Sequence, residues 1–258
     1  MSEKDVLEIL GEKVALGKSA TVSFNVAKLH TQNTIDVPVI IERSKKPGPT
    51  ILITAGIHGD EINGVEIVRQ IIAKGINKPK KGTITCIPVI NVFGFIHMDR
   101  EFRDGRDLNR VFPGTKGGSL ASRVDHKLIT DIVPHADLSM DFHTSSADLF
   151  NSPQIRIKKK EAILDELAEV FGAPFVYYSK NLNKTFRNSS YKLGIPMLLF
   201  EGGKSFNIDS TITNTGVNGA KRVLHHLGML KTNFKVTRPK KATIYISDSK
   251  WIRAKYSG

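Results

Sequence analysis

Residues 55–64 read AGIHGDEING, a histidine and a glutamate three positions apart among three glycines. Glycine serves where backbone turns sharply or comes close to something, so His58 and Glu61 read as a site rather than as surface. A second histidine, His143, ends the run ADLSMDFHT, and Glu201 ends IPMLLFEGG. Two imidazoles and a carboxylate, with one coordination position open, are the ligand set of a hydrolytic zinc site. A metal there would lower the pKa of a water to about 7 and polarise a carbonyl. His58, Glu61 and His143 are thus candidate ligands for one Zn2+. A carboxylate ending an apolar strand is costly to bury unless it is paired or at work. Glu201 is the candidate general acid/base, receiving the water proton and handing it to the leaving amine; the structural alternative is a salt-bridged strand-end glutamate. Asp141 shares the strand face of His143 and could orient that imidazole, or cap a loop. His30, His97, His126, His135, His225 and His226 lack such placement and read as surface or packing residues.

The stretch DREFRDGRDLNRVFPG carries Arg100, Arg103, Arg106 and Arg110. Arginine forks bind carboxylates through paired hydrogen bonds. One or two of these could hold a substrate carboxylate or polarise a carbonyl, with Asn109 donating beside Arg110. Arg106 next to Asp104 and Asp107 reads as an internal ion pair. Arg156, a cation inside the apolar run NSPQIRI, is a second substrate-binding candidate.

The elements that must position these residues follow from periodicity. TVSFNVAKL and TIDVPVIIE alternate like half-buried strands, and SKKPGP is a turn. TILITAG, GTITCIPVI, ADLSMDFHT, FVYYS and IPMLLFEGG read as buried strands. Helical spacing covers Asp60 to Gly75, Ser119 to Val133, Lys159 to Phe171 and Asp209 to Leu227. Asn91 to about Gly118 reads as one long loop, of a length that is usually functional or disordered, with Phe102, Leu108, Val111 and Phe112 to pack it down. The tail TIYISDSKWIRAKYSG reads as one or two short strands. Alternating strands and helices predict an α/β fold, a mainly parallel or mixed central sheet with helices on both faces. In such sheets ligands bind outside the carboxyl ends of the strands, which is where His58, Glu61, His143 and Glu201 all fall.

The 258-residue chain is 40% hydrophobic and 24% charged, as a globular domain is. No apolar run approaches the roughly 18 to 20 residues of a membrane span, and the start MSEKDVLEILGEK lacks a secretory h-region. A single cysteine, Cys86, permits no disulfide within the chain, and a cytoplasmic address is the default expectation. The net charge of +13 is scattered, its densest groups being Lys78 with Lys80 and Lys81, Lys158 to Lys160, and Arg238 with Lys240 and Lys241. Without interleaved aromatics this reads as solvated charge and not as a nucleic-acid surface; it would attract small anions.

GIHGDEINGVE, DGRDLNRVFPG, DFHT, NSPQIR and LLFEGG, in that order between about Val37 and Leu230, resemble the succinylglutamate desuccinylase/aspartoacylase family. That family is a deacylase branch of the zinc carboxypeptidase-like fold. The resemblance implies zinc on His58, Glu61 and His143, Glu201 as general acid/base, and Asn109 with Arg110 at the substrate carboxylate. It implies an upstream loop arginine on the scissile carbonyl, with Arg103 the first choice and Arg100 the alternative. The implied chemistry is hydrolysis of a small acidic N-acyl amino acid or related amide; the alternative is a metallocarboxypeptidase acting on peptide C-termini. A basic binding protein with a degenerate zinc site is the non-enzymatic reading. Residues 1–240 read as the catalytic domain. Residues 241–258 read as the start of a β segment that relatives continue further, so that the chain is a short form or a truncated one. A missing wall would leave an apolar edge that a second copy could cover, which makes a homodimer an expectation.

Overall fold

The computed structural model describes residues 6–28, 30–146, 149–239, 242–250, 252 and 255–256. β1 (Val6–Ile9) and β2 (Glu12–Ala15) form a hairpin of their own, closed by Leu10 and Gly11 at positive φ, the backbone that a two-residue turn between twisted strands requires. The remaining nine strands are β3 (Ser19–Lys28), β4 (Thr34–Arg43), β5 (Thr50–Ala55), β6 (Thr83–Ile87), β7 (Leu138–Ser145), β8 (Asn151–Ile157), β9 (Phe175–Tyr178), β10 (Met197–Lys204) and β11 (Ile244–Ile246). They make one sheet in the order β11-β9-β8-β10-β7-β5-β6-β4-β3. Pairing is parallel from β6 through β5 and β7 to β10, and again among β8, β9 and β11; it is antiparallel for β8 with β10 and along the β3–β4–β6 edge. The sheet is therefore mixed with a parallel centre, as expected.

Strand residues alternate between two cores. Ile51, Ile53, Met140, Phe142, Leu198 and Phe200 pack under α1 (Ile62–Ala73), α4 (Ala162–Phe171) and α6 (Ser210–His226). On the other face Leu52, Val37, Val39 and Met197 pack with α3 (Leu120–Asp131), with Phe186 of α5 (Phe186–Lys192) and with the β1–β2 hairpin. Helices cover both faces.

Several elements depart from the sequence reading. The stretch after Asn91 is not one loop: α2 (Val92–His97) begins there, capped by the Asn91 side chain accepting from Gly94 N at 2.7 Å, and ends on Met98 in the left-handed region. A 3-10 turn follows at Leu108–Arg110. Phe102, Leu108 and Phe112 are buried and hold the segment down, as expected. α5 and the β1–β2 hairpin are too short for their periodicity to stand out. Of the tail, Ile244–Ile246 adds to the sheet beside β9, while Lys240, Lys241, Trp251, Arg253, Ala254, Ser257 and Gly258 lie outside the described residues.

The glycines around His58 act mainly through packing. Gly56 has φ +65°. A Cβ on Gly59 would lie 1.9 Å from the carbonyl carbon of Gly94, and one on Gly64 would lie 2.2 Å from Phe142 O. The turn is pressed against α2 on one side and α1 against β7 on the other; this close approach to backbone is what excludes larger residues.

Gly64→Ala should cost about 3 kcal/mol by overpacking rigid backbone. Gly105→Ala, at φ +74° with open space around it, should cost only about 1 kcal/mol. Urea unfolding measures both; equal losses would show that α1 can shift off β7. Asp125 of α3 is fully buried, and neither carboxylate oxygen has a partner among the described residues. Burial, then Asp107 and Asp104, push its pKa up to about 9. The folded carboxyl stays neutral up to that value while the unfolded one ionises near pH 4, so stability falls as pH rises between them, by about 1.4 kcal/mol per unit. Relative to the parent, Asp125→Asn should therefore gain stability from pH 5 to pH 8, by up to about 4 kcal/mol. A gap that stays flat over that range would mean the carboxyl is ionised or paired.

Candidate metal centre

β5 and β10 both run parallel to β7 on either side of it, so three carboxyl ends meet. His58 and Glu61 lie in the turn from β5 to α1. Asp141 and His143 lie on β7, and Glu201 on β10 stands in register with His143. Met140 and Phe142 point into the core under α1; Asp141 and His143, one residue out of phase, face the other side with Glu201.

Glu61 is the centre of the cluster and is 3% exposed. Its Oε1 lies 2.7 Å from His58 Nδ1 and its Oε2 lies 2.9 Å from His143 Nδ1; Oε2 also accepts Thr144 N–H at 3.0 Å. Burial works against the charge on Glu61, yet the two imidazoles overcome it and hold the carboxyl below the usual range. Each imidazole has a second carboxylate behind it: His58 Nε2 is 3.1 Å from Asp107 and His143 Nε2 is 2.7 Å from Asp141. Asp141 is itself fixed by the Thr54 hydroxyl at 2.7 Å. Were a cation to displace the Nδ1 protons that face Glu61, each histidine would keep its ring proton on Nε2, donate it outward to its aspartate, and turn the Nδ1 lone pair toward the ion. Those two nitrogens and a Glu61 oxygen lie within 4.8 Å of one another, close enough to hold one ion. Two nitrogens and a carboxylate oxygen suit zinc, and the carboxylates behind the histidines are the usual outer support of such a site.

Glu201 sits beside this cluster. Arg156 Nη1 is 3.4 Å from its Oε1, and Asn151 Nδ2 donates to its Oε2 at 3.0 Å. Burial raises its pKa, and Arg156 opposes the rise. The loop arginines separate clearly. Arg100 lines the cleft: it donates to Asp107 Oδ2 from Nη2 at 2.9 Å, and from Nη1 to Glu61 Oε1 at 3.3 Å and to the Ser146 hydroxyl. Arg103, the first choice for a carbonyl partner, is exposed and does not line the cleft, whereas the alternative, Arg100, does. Arg106 pairs with Asp104 at 3.3 Å as expected, but not with Asp107, which His58 and Arg100 occupy. Arg110 reaches the cleft with Nη1 donating to the backbone O of Asn109 at 2.7 Å, and the Asn109 side-chain Oδ1 accepts Phe186 N–H at 2.9 Å. His225 and His226 close the last turn of α6, away from the cluster.

The cleft over these residues holds about 1290 Å3. Arg100, Arg110, Arg156, Lys158, Lys159, Lys180 and Arg187 line it, against the acids Glu61, Glu201 and Asp248. Several of its residues escaped the sequence reading. Asp107 reads as a loop ion pair until the fold brings His58 to it. Asn151 reads as a strand start. Arg187 lies on the unforeseen α5, where burial and the neighbouring Arg156 lower its pKa to about 10; the signal was an arginine between the buried Phe186 and Asn188.

The model of the succinylglutamate desuccinylase/aspartoacylase catalytic domain matches residues 47–227. The N-alpha-acetyl-L-2,4-diaminobutyric acid deacetylase of Halomonas elongata is 26% identical over 221 residues, 81% of this chain and 63% of that protein. The chain thus spans less than two-thirds of that relative's length. A crystal structure of a succinylglutamate desuccinylase/aspartoacylase from Rhodobacter sphaeroides superposes with a TM-score of 0.76 at 25% identity, covering 88% of this chain and 71% of that one. The product-bound ectoine utilization protein EutE (DoeB) from Ruegeria pomeroyi gives a TM-score of 0.77 at 20% identity over 90% of this chain and 72% of its own, a likeness of fold.

If Asp107 and Asp141 orient the two imidazoles, Asp107→Asn and Asp141→Asn should each weaken Zn2+ binding about 10- to 100-fold, and Glu61→Gln more. Competition against a chromophoric chelator reads the affinity on the folded protein. Unchanged affinity in both aspartate variants would remove them from the site.

Proposed function

The chain belongs to the succinylglutamate desuccinylase/aspartoacylase family, and on that premise we propose that it is a zinc-dependent deacylase that hydrolyses the amide bond of a small, acidic N-acyl amino acid. The observation that carries this reading is the pairing across β7 and β10: a buried His58–Glu61–His143 cluster with Glu201 in register beside His143. Zinc on the three ligands would polarise the carbonyl and acidify the attacking water. The remaining work falls to side chains. Glu201 takes the proton from the water and returns it to the departing amine, which then leaves neutral. Arg100, beside Glu61, stabilises the charge that grows on the carbonyl oxygen. Asn109 and Arg110 hold the amino acid carboxylate, and the excess of cations in the cleft draws the anion in.

The Halomonas elongata relative acts, by its name, on an N-acetylated amino acid, which supports the substrate class. The width of the cleft favours a second reading, a carboxypeptidase that accepts a peptide. Release of free amine from N-acetyl, N-succinyl and longer N-acyl amino acids, with short peptides alongside, separates the two. Turnover confined to peptides would sink the deacylase reading.

Activity should vanish with a strong chelator and return with Zn2+. Glu201→Gln should keep its zinc and lose about a hundred- to ten-thousand-fold in kcat. Arg100→Gln should lose on the order of a hundred-fold, and Arg103→Gln should stay within about two-fold of the parent. A strong loss at Arg103 with none at Arg100 would reverse their assignment.

A further inference from the structure

β8 supplies both partners of Glu201. In the antiparallel register of β8 with β10, Arg156 stands opposite Leu199, Gln154 opposite Glu201, and Asn151 opposite Gly203 across a register shift. Leu199 and Glu201 share a face, so Arg156 is the diagonal neighbour of Glu201, at a spacing that a long side chain spans. The guanidinium reaches Oε1 at 3.4 Å and the Asn151 amide reaches Oε2 at 3.0 Å. Each carboxylate oxygen is thereby held from the same strand, and the plane of the carboxylate is set by two points on a rigid element. Arg156 is braced in turn, its guanidinium carbon 6.0 Å from the centre of the Tyr177 ring on β9.

From this we propose that Arg156 and Asn151 are positioning residues for Glu201: they fix the direction in which its carboxylate presents a lone pair and do not themselves touch the substrate. This replaces the substrate-binding role expected for Arg156, and it rests on Glu201 being the acid/base. Arg156 Nε–H is buried without a partner among the described residues and is the donor from which the substrate-contact alternative would be built.

A double-mutant cycle separates the two. The probe is the N-acetyl or N-succinyl amino acid that the parent cleaves fastest. Arg156→Gln should lower kcat about ten-fold with KM within about two-fold, and Arg156→Lys should recover part of the loss. In the Glu201→Gln background Arg156→Gln should cost nothing further in kcat, and calorimetric affinity of the same compound for Glu201→Gln should not change when Arg156 is also replaced. Asn151→Ala should show the same non-additivity from the other oxygen, and thermal melts confirm that each variant is folded. Additive losses in kcat, a rise in KM with kcat kept, or weaker binding to the double variant would make Arg156 a substrate contact and overturn the proposal. A fully active Glu201→Gln would instead overturn the acid/base reading beneath it.

Discussion

A carboxylate buried among backbone strands must be neutralised several times over, and Glu61 is where this fold meets that demand. Removing an ion from water costs several kcal/mol unless partners replace the solvent. At Glu61 four partners come from three places: His58 in the same turn, His143 and Thr144 N–H from β7, and Arg100 from the segment after α2. None is close to it in sequence except His58. The β5–β7 register, the tight seat of α1 on β7 at Gly64 and the packing of Phe102 beneath the loop all bring these groups to one carboxylate. Displacing any of them leaves a charge stranded in the interior.

The two imidazoles are oriented by unlike means. His143 is backed by Asp141, two residues away on the same strand and tied to Thr54 on the next, so its geometry belongs to the sheet. His58 is backed by Asp107, whose Oδ1 also accepts Asn109 N–H at 2.8 Å at the start of the 3-10 turn. Asp107, Asn109 and Arg110 thus move as one piece. The segment that sets the direction of His58 is also the segment proposed to grip the substrate carboxylate, so a shift in one is felt by the other. Arg100 lies on the same segment and is locked to Asp107.

This division explains what the sequence revealed. His58, Glu61, Asp141 and His143 sit at the ends of long apolar strands whose type and order periodicity identifies, and the switch from strand to helix after TILITAG marks the turn. The brief α2 was hidden because its signal is one Asn cap in a stretch with no helical period. Arg103 was preferred to Arg100 because spacing says nothing about which way a loop arginine turns; the burial of Phe102 and the exposure of Arg103 are decided by packing against distant residues. Asp107 was assigned to Arg106, its near neighbour, when the partner that wins is a buried histidine 49 positions away. Local charge pairs are worth little on a surface, and a buried imidazole needing an acceptor outcompetes them.

Glu201 shows that a structural and a chemical reading of one residue need not exclude each other. Arg156 lies close enough to Arg187 to disfavour its charge, and Glu201 is the acid that favours it. Two half-buried like charges side by side are stabilised by an anion near them. The salt-bridged strand-end glutamate and the proposed general base are therefore the same side chain: Arg156 lies 3.4 Å from its Oε1 and opposes the rise in pKa that burial imposes, and the ionised form is what proton abstraction needs. Without Arg156, burial would push the Glu201 carboxyl further toward its neutral form; without Glu201, Arg187 would lose the acid that favours its charge. The cationic wall and the carboxylate support each other.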